Sequence, residues 1–196
     1  EYECFNAASV TVRVRGHEIH PGSAKNVMVN ALRVLEDFDR LLPENARPEH
    51  TDGYEGFFHL CDIQGTCSEA VAHYIVRDHS ADAFAAKKQA MLDVADFINK
   101  RWSEPRVLVD IRDQYRNMAE MVAPYPVLVD NAYHAFSNIG VKAFTRPIRG
   151  GTDGAALSFR NLPCPNISTG GFNYHSVREF AVVSQVERMV DFLCEL

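Results

Sequence analysis

The 196-residue sequence lacks the features that mark several protein classes. It contains no run of about 18 apolar residues, which a membrane-spanning helix requires, and no signal-peptide pattern at its start. It contains no basic cluster, and its net charge is −6, so neither a nucleic acid nor an anionic membrane is expected as a partner. Its five cysteines are odd in number and never spaced as CxxC, which argues against a disulfide framework and a zinc ribbon. We therefore expect a cytoplasmic protein.

What the chain does contain is ordinary globular material. Hydrophobic residues make up 46% and charged residues 23%, which is enough apolar matter to fill a core. The length suits one large domain or two small ones.

The first part of the chain shows strand and helix periodicities in a recognisable order. Alternating apolar and polar residues indicate strands, and apolar residues at helical spacing indicate helices, one of them with Ser80 as a plausible N-cap. The order β-α-β-β-α-β predicts a ferredoxin-like α+β unit, with two helices on one face of a four-stranded sheet. The predicted elements are strand 10–15, helix 26–42, strands 56–66 and 70–79 as a hairpin, helix 80–102 and strand 106–115.

The second part alternates helices with short strands and glycine loops. In open α/β sheets, ligands collect beyond the carboxyl ends of the strands, so we expect the two glycine loops to line one crevice. Three or so elements cannot cover both faces of a sheet, so this region looks incomplete by itself. The predicted elements are helix 125–140, strand 142–148, a helix from 154, strand 164–168 and a helix from about 184.

Several short motifs carry residues of the right chemistry for a site. The HEIH stretch (17–20) is one residue shorter than the zinc-protease HExxH motif and follows a strand, so we discount it as a zinc site. His20 precedes Pro21 and Gly22, which fix a turn; the alternative is an exposed loop histidine.

Three further stretches leave two interpretations open. RGGTDG (149–154) offers a guanidinium and a glycine nest for an anionic group such as a carboxylate, or an Asp that caps a helix beside a solvated Arg. Arg77, at the end of the third strand, either belongs to a site or simply forms a solvated charge pair with Asp78. In GGFNYH (170–175), His175 is either part of a site or the end of a tight turn.

Together the motifs resemble the peptidase T family of zinc-dependent aminotripeptidases, within the di-zinc aminoacylase and carboxypeptidase clan. The resemblance runs the whole chain, and the joint match of many motifs in order makes it specific. The motifs are FNAASV, HPG with AKNVMVNAL, GYEGFFHL, HYIVRD, RPIRGGTDGAALSF, LPCPNISTGGFNYH and a final EF.

The resemblance implies a catalytic α/β domain with two zinc ions and an inserted ferredoxin-like lid that dimerises. Residues 5–115 would be the lid and dimerisation domain, and residues 116–196 the C-terminal segment of the catalytic domain. By the same resemblance the site residues have assigned roles: His175 is a zinc ligand, His20 reaches a substrate carbonyl, and Arg77, Arg149 with Gly150 and Gly151, and more weakly Asn117, bind the peptide.

The chain departs from the family in one respect that decides its chemistry. The remaining zinc ligands, a histidine, two aspartates and a glutamate, and the general-base glutamate belong to an N-terminal half that this sequence lacks. A catalytic zinc needs about three protein ligands, so we expect this chain alone to be inactive and to bind zinc weakly at best. The alternatives are a dimerisation or interaction module without catalysis, and a related N-acyl amino acid deacetylase or carboxypeptidase.

Overall fold

A computed structural model describes residues 1–196 and divides the chain into two compact units. Phe5–Arg116 form the first, called here the sheet unit, and Glu1–Cys4 with Asn117–Leu196 form the second, called the terminal unit. Compactness does not show independent folding, so the division into a domain at 5–115 and a segment at 116–196 stays a prediction.

The sheet unit contains the predicted β-α-β-β-α-β order. Its elements are β1 (Asn6–Arg15), α1 (Ala31–Leu41), β2 (Phe57–Gly65), β3 (Glu69–Asp78), α2 (Ala81–Asn99) and β4 (Val107–Tyr115). The strands lie in the order β2-β3-β1-β4, and all neighbours are antiparallel. This is the ferredoxin-like arrangement, so the predicted fold class is confirmed.

The core of the sheet unit lies between the sheet and its two helices. Alternate residues of β1, from Ala8 to Val14, are buried, and Val34, Leu35 and Phe38 of α1 pack in the same core as Met91 and Ile98 of α2. The intervening strand residues form the opposite face, as the period of two requires. Ser80 caps α2 as predicted, since its hydroxyl accepts the Ala83 N–H at 3.3 Å. Leu92 of α2, next to the buried Met91, is 37% exposed.

The predicted start of the first helix is wrong by five residues. Asn30 is the N-cap of α1, and its side chain accepts the Leu32 N–H at 3.0 Å. Val27 and Val29 fall on helical spacing, but Val29 instead forms an antiparallel bridge with His17. A backbone pairing has therefore overridden the local periodicity.

The regular elements of the terminal unit are mostly helices. Its elements are α3 (Ala119–Val122), α4 (Pro126–Asn138), α5 (Asp153–Ser158), the hairpin β5 (Gly171–Phe172) with β6 (Phe180–Ala181), and α6 (Val183–Glu195). α4 packs against α6 through the stacked rings of Phe136 and Phe192, whose centroids are 4.0 Å apart. Val183, Val190 and Leu193 of α6 are 56% exposed or more, so this helix presents apolar side chains to solvent.

The two strands predicted at 142–148 and 164–168 are absent. The first segment forms only a parallel bridge from Ile148 to Cys4, and the second makes a hydrogen bond from the Asn166 N–H to the Glu1 carbonyl at 2.7 Å. A strand needs a ladder of partner hydrogen bonds, and residues 1–4 supply only isolated ones. No helix in the structure combines the length and apolar character that a membrane span requires.

Candidate functional site

His20 lies in a loop whose base is fixed by backbone hydrogen bonds. His17 and Val29 exchange N–H···O bonds of 2.7 and 3.0 Å, and the Gly16 N–H donates to the Ser68 carbonyl at 2.8 Å. A Cβ on Gly16 would lie 2.0 Å from the Cys67 carbonyl oxygen, so only glycine allows the two backbones to approach this closely. The loop therefore leaves the end of β1 from a rigid base.

The HPG stretch forms a single 3-10 turn at Pro21–Ser23 with His20 as its N-cap. The Gly22 N–H donates to His20 Nδ1 at 3.1 Å, and the Ser23 N–H closes the turn on the His20 carbonyl at 2.8 Å. The His20 side chain is exposed, and its Nε2 makes no hydrogen bond within the chain. An exposed imidazole in a fixed turn suits contact with a ligand.

Arg77 lies on the sheet face opposite the helices, between the buried residues Val76 and Asp78. Its guanidinium donates to the carbonyls of Ala8 and Val76 at 3.2 and 3.1 Å and to Gln114 Oε1 at 3.1 Å. These three acceptors hold the group in place while using fewer than its five N–H donors. The alternative of a solvated Arg77–Asp78 pair is wrong, because Asp78 is buried and pairs with Lys87 at 2.8 Å.

Asn117 makes two hydrogen bonds to the backbone through its side-chain oxygen. Its Oδ1 accepts the N–H of Cys4 and the N–H of Ala119, each at 3.0 Å. The side chain thereby fixes Cys4, whose buried thiol accepts the Met118 N–H at 3.4 Å. Burial raises the pKa of the Cys4 thiol.

The RGGTDG stretch connects the Cys4–Ile148 bridge to helix α5. Arg149 is half-buried directly after the bridge, and a Cβ on Gly150 would meet nothing within 4 Å, which leaves its backbone accessible. Thr152, and not Asp153, is the N-cap, because its hydroxyl accepts the Ala155 N–H at 3.3 Å. Asp153 therefore lies in the first turn, so the capping role considered for it from sequence is wrong.

Helix α5 packs closely against the segment that follows it. A Cβ on Gly154 would lie 2.6 Å from the Cys164 carbonyl oxygen and 2.9 Å from Asn166 Oδ1. The fully buried Ser158 hydroxyl donates to the Gly154 carbonyl at 2.7 Å and accepts the Cys164 N–H at 3.0 Å. These contacts fix residues 154–166 as one local structure.

The two glycines of GGFNYH have different tasks. Gly170 has a φ of +75°, in the left-handed region that favours glycine. A Cβ on Gly171 would lie 2.7 Å from the Tyr174 hydroxyl and 2.8–3.0 Å from its ring, so this glycine makes room for the aromatic side chain. Tyr174 is held there by a 2.8 Å hydrogen bond between its hydroxyl and that of Thr169.

His175 stands at the end of this turn in a strained backbone conformation. Its φ is +62°, and Asn173, two residues earlier, has a φ of +57°. The His175 N–H donates to Glu179 Oε2 at 2.9 Å, a contact that the motif alone did not indicate. Non-glycine residues with positive φ are uncommon and cluster at functional sites, and the His175 side chain is exposed.

The residues of this chain do not by themselves fit a zinc ion. No group of three or more His, Cys, Asp or Glu side chains is placed to hold a metal. A catalytic zinc requires about three protein ligands, and His175 is the one ligand that the sequence predicts here. That both glycine loops line one crevice stays a prediction.

The sheet unit matches a known family. Residues 2–103, slightly more than half of the chain, fit the model of the peptidase dimerisation domain. The chain belongs to this family. The match covers the ferredoxin-like strands and helices up to the end of α2, together with the His20 turn and Arg77.

Curated relatives match this chain over its whole length or nearly so. Peptidase T of Clostridium acetobutylicum is 46% identical over 196 residues, which is 100% of this chain and 48% of that protein. Peptidase T of Staphylococcus aureus is 47% identical over 193 residues, 98% of this chain and 47% of that protein. The chain thus spans about half the length of the curated relatives it matches.

Solved structures share the fold at lower identity. Aminopeptidase PepT from Bacillus cereus superposes with a TM-score of 0.83 at 16% identity, over 99% of this chain and 52% of that one. A tripeptidase from Staphylococcus aureus gives a TM-score of 0.83 at 15% identity, over 99% and 51%. Because the superposition extends over nearly the whole chain, the terminal unit shares its fold with these proteins as well.

Proposed function

We propose that this chain is part of a zinc-dependent aminopeptidase that releases the N-terminal residue of tripeptides. The observation that carries the proposal is the 46% identity to a protein named Peptidase T over all 196 residues, rather than over the dimerisation domain alone. Identity that continues through the terminal unit favours a peptidase over a dimerisation module that has been reused elsewhere.

In this proposal the His20 turn and the two arginines contact the peptide. His20 donates a hydrogen bond to the carbonyl oxygen of the scissile bond, where negative charge grows as water attacks. Arg77 and Arg149 bind the rest of the peptide through charge-assisted hydrogen bonds, and the backbone of Gly150 and Gly151 approaches it closely. The fixed guanidinium of Arg77 supports such a role, because a preorganised donor loses little freedom on binding.

The roles of Asn117 and His175 are narrower. For Asn117, whose Oδ1 accepts two backbone N–H groups, we propose only the weaker role in binding the peptide. We propose His175 as one ligand of a zinc ion whose other ligands lie outside this chain. No catalytic step through the metal follows from the residues present here.

A homodimer formed through the sheet unit is part of the proposal, as is a cytoplasmic location. The family description supports self-association, and β2 and β4 lie at the two edges of the sheet, where a further strand can pair. Light scattering of the purified chain over a range of concentrations tests this, and a monomer at all concentrations contradicts it. A dimer without any part in catalysis is the second candidate function.

The decisive experiment exchanges the matching half of a relative for this chain. We expect a chimera of Clostridium acetobutylicum Peptidase T, with this sequence in place of its matching 196 residues, to release amino acids from a simple tripeptide with zinc. Arg149→Ala should lower kcat/KM about tenfold to a hundredfold, because a charged hydrogen bond contributes about 1.5–3 kcal/mol. The exposed Arg160→Ala is the matched control and should have no effect.

Two outcomes oppose the proposal. A folded chimera that cleaves only N-acyl amino acids indicates the deacetylase class instead. A folded chimera without any hydrolysis, beside an active parent, leaves the dimerisation module as the function.

A further inference from the structure

The HPG turn constrains the protonation state of its own histidine. His20 Nδ1 faces the turn and accepts the Gly22 N–H at 3.1 Å, while Nε2 faces away without a partner. A neutral imidazole carries one proton, and a nitrogen that accepts a hydrogen bond cannot carry it. The proton of neutral His20 must therefore be on Nε2 whenever this hydrogen bond is present.

We propose that Gly22 is a positioning residue whose backbone N–H holds His20 as the Nε2–H tautomer. The turn thereby makes His20 an outward hydrogen-bond donor, which recognises a carbonyl oxygen. This inference rests on the proposed function, which supplies the carbonyl group, but the tautomer itself is a property of this chain.

Each residue of the turn contributes to this arrangement. Pro21 occupies the first position, where its fixed φ suits the turn and its missing N–H costs no hydrogen bond. Gly22 lets the ring approach, because a Cβ there would lie 3.1 Å from Nδ1 and 3.2 Å from Cε1. The anchored base of the loop, with His17 paired to Val29, keeps the turn in a fixed place.

Nitrogen-15 NMR of the two ring nitrogens in the purified chain tests the proposal. At a pH of about 9, well above the ordinary histidine range, we expect His20 Nδ1 to resonate at the unprotonated limit and Nε2 at the protonated limit. His134, exposed on α4, is the internal reference for an unconstrained imidazole that averages both tautomers. Coinciding shifts for His20 and His134 overturn the proposal.

Two substitutions distinguish the effect of the Gly22 N–H from the effect of side-chain size at position 22. Gly22→Pro removes the donor and should move the His20 ring nitrogens to the averaged positions of His134. Gly22→Ala keeps the donor. Because the His20 ring is exposed, it can withdraw by the few tenths of an ångström that a Cβ at 3.1 Å requires, so the shifts should stay near the parent values. If Gly22→Ala moves the His20 nitrogen shifts as far as Gly22→Pro does, crowding and not the N–H sets the tautomer, which overturns the assignment. If Gly22→Pro does not fold, the Gly22→Ala variant and the comparison with His134 still test the assignment.

The chimera distinguishes this inference from the proposed function. A fixed tautomer in an inactive chimera contradicts the peptidase proposal and leaves the tautomer assignment standing. An averaged tautomer in an active chimera contradicts the positioning role alone. With both correct, Gly22→Pro lowers kcat of the chimera more than Gly22→Ala does.

Discussion

Replacing Gly16 by alanine tests whether close backbone approach fixes the base of the His20 loop. The new Cβ would lie 2.0 Å from the Cys67 carbonyl oxygen and 2.6 Å from the Val29 carbonyl oxygen. Both are backbone atoms, so no side-chain rotation relieves the overlap. Either the loop or the β2–β3 turn must move.

The cost follows from the contacts that such a movement disrupts. Overpacking costs about 1–3 kcal/mol. The Ala31 N–H to Cys67 carbonyl bond of 2.9 Å and one bond of the His17–Val29 pair would be lost, at about 0.5–1.5 kcal/mol each. Alanine offsets about 0.4–1 kcal/mol of this cost, because it restricts the backbone of the unfolded chain more than glycine does. We expect a net destabilisation of about 2–5 kcal/mol.

Urea unfolding followed by tryptophan fluorescence measures this change. Trp102 is the single tryptophan and packs against the core of the sheet unit, so it reports on that unit. With a mid-range slope of about 2 kcal/mol per molar urea, the midpoint should fall by about 1–2.5 M. Gly150→Ala is the control: a Cβ there meets nothing within 4 Å, and the change should stay within about 0.5 kcal/mol. A Gly16→Ala midpoint equal to the parent value would refute the reasoning.

Three further predictions concern buried polar groups. Asp78→Ala should destabilise the chain by about 3–5 kcal/mol, measured by urea unfolding, because it leaves the mostly buried Lys87 ammonium without its 2.8 Å partner. Burial and the charge of Asp39 raise the pKa of Tyr74, so the unfolded state loses this proton first, and stability should fall above about pH 10, less so in Tyr74→Phe. Ser158→Ala should cost about 1–3 kcal/mol in thermal unfolding followed by circular dichroism, because the Cys164 N–H loses its acceptor.

Each of these has an outcome that would contradict it. An Asp78→Ala variant as stable as the parent would mean that water or another group compensates Lys87. A pH dependence above pH 10 that is identical in Tyr74→Phe would mean that other groups cause it. An unchanged melting temperature in Ser158→Ala would show that the loop before Cys164 rearranges freely.

Local sequence patterns were sufficient to predict the fold of the sheet unit, because its strands and helices pair and pack with one another. Ser80 capped its helix as predicted, and the alternating pattern of residues 10–15 marked a strand that begins earlier, at Asn6. The helical spacing of Val27 and Val29 led to a wrong start for the first helix, because spacing does not reveal a bridge between Val29 and His17. The apolar segments 142–148 and 164–168 misled for a related reason: a strand depends on partners that the pattern of one segment cannot report.

For the candidate site, too, the sequence indicated some features and not others. Sequence motifs identified His20, Arg77, Arg149 and His175, whose roles remain proposals. They did not indicate the Gly22 N–H on the imidazole or the Glu179 contact of the His175 backbone, because both depend on the path of the chain within a turn.

The register of β1 with β4 has a consequence for how this protein can be taken apart. Ala7 pairs directly with Tyr115, so the chain enters and leaves the sheet unit on adjacent strands, about 5 Å apart. A gene segment encoding 5–116 is thus a cassette whose two ends nearly touch. If this segment were removed, a short linker would be long enough to join the chain on either side.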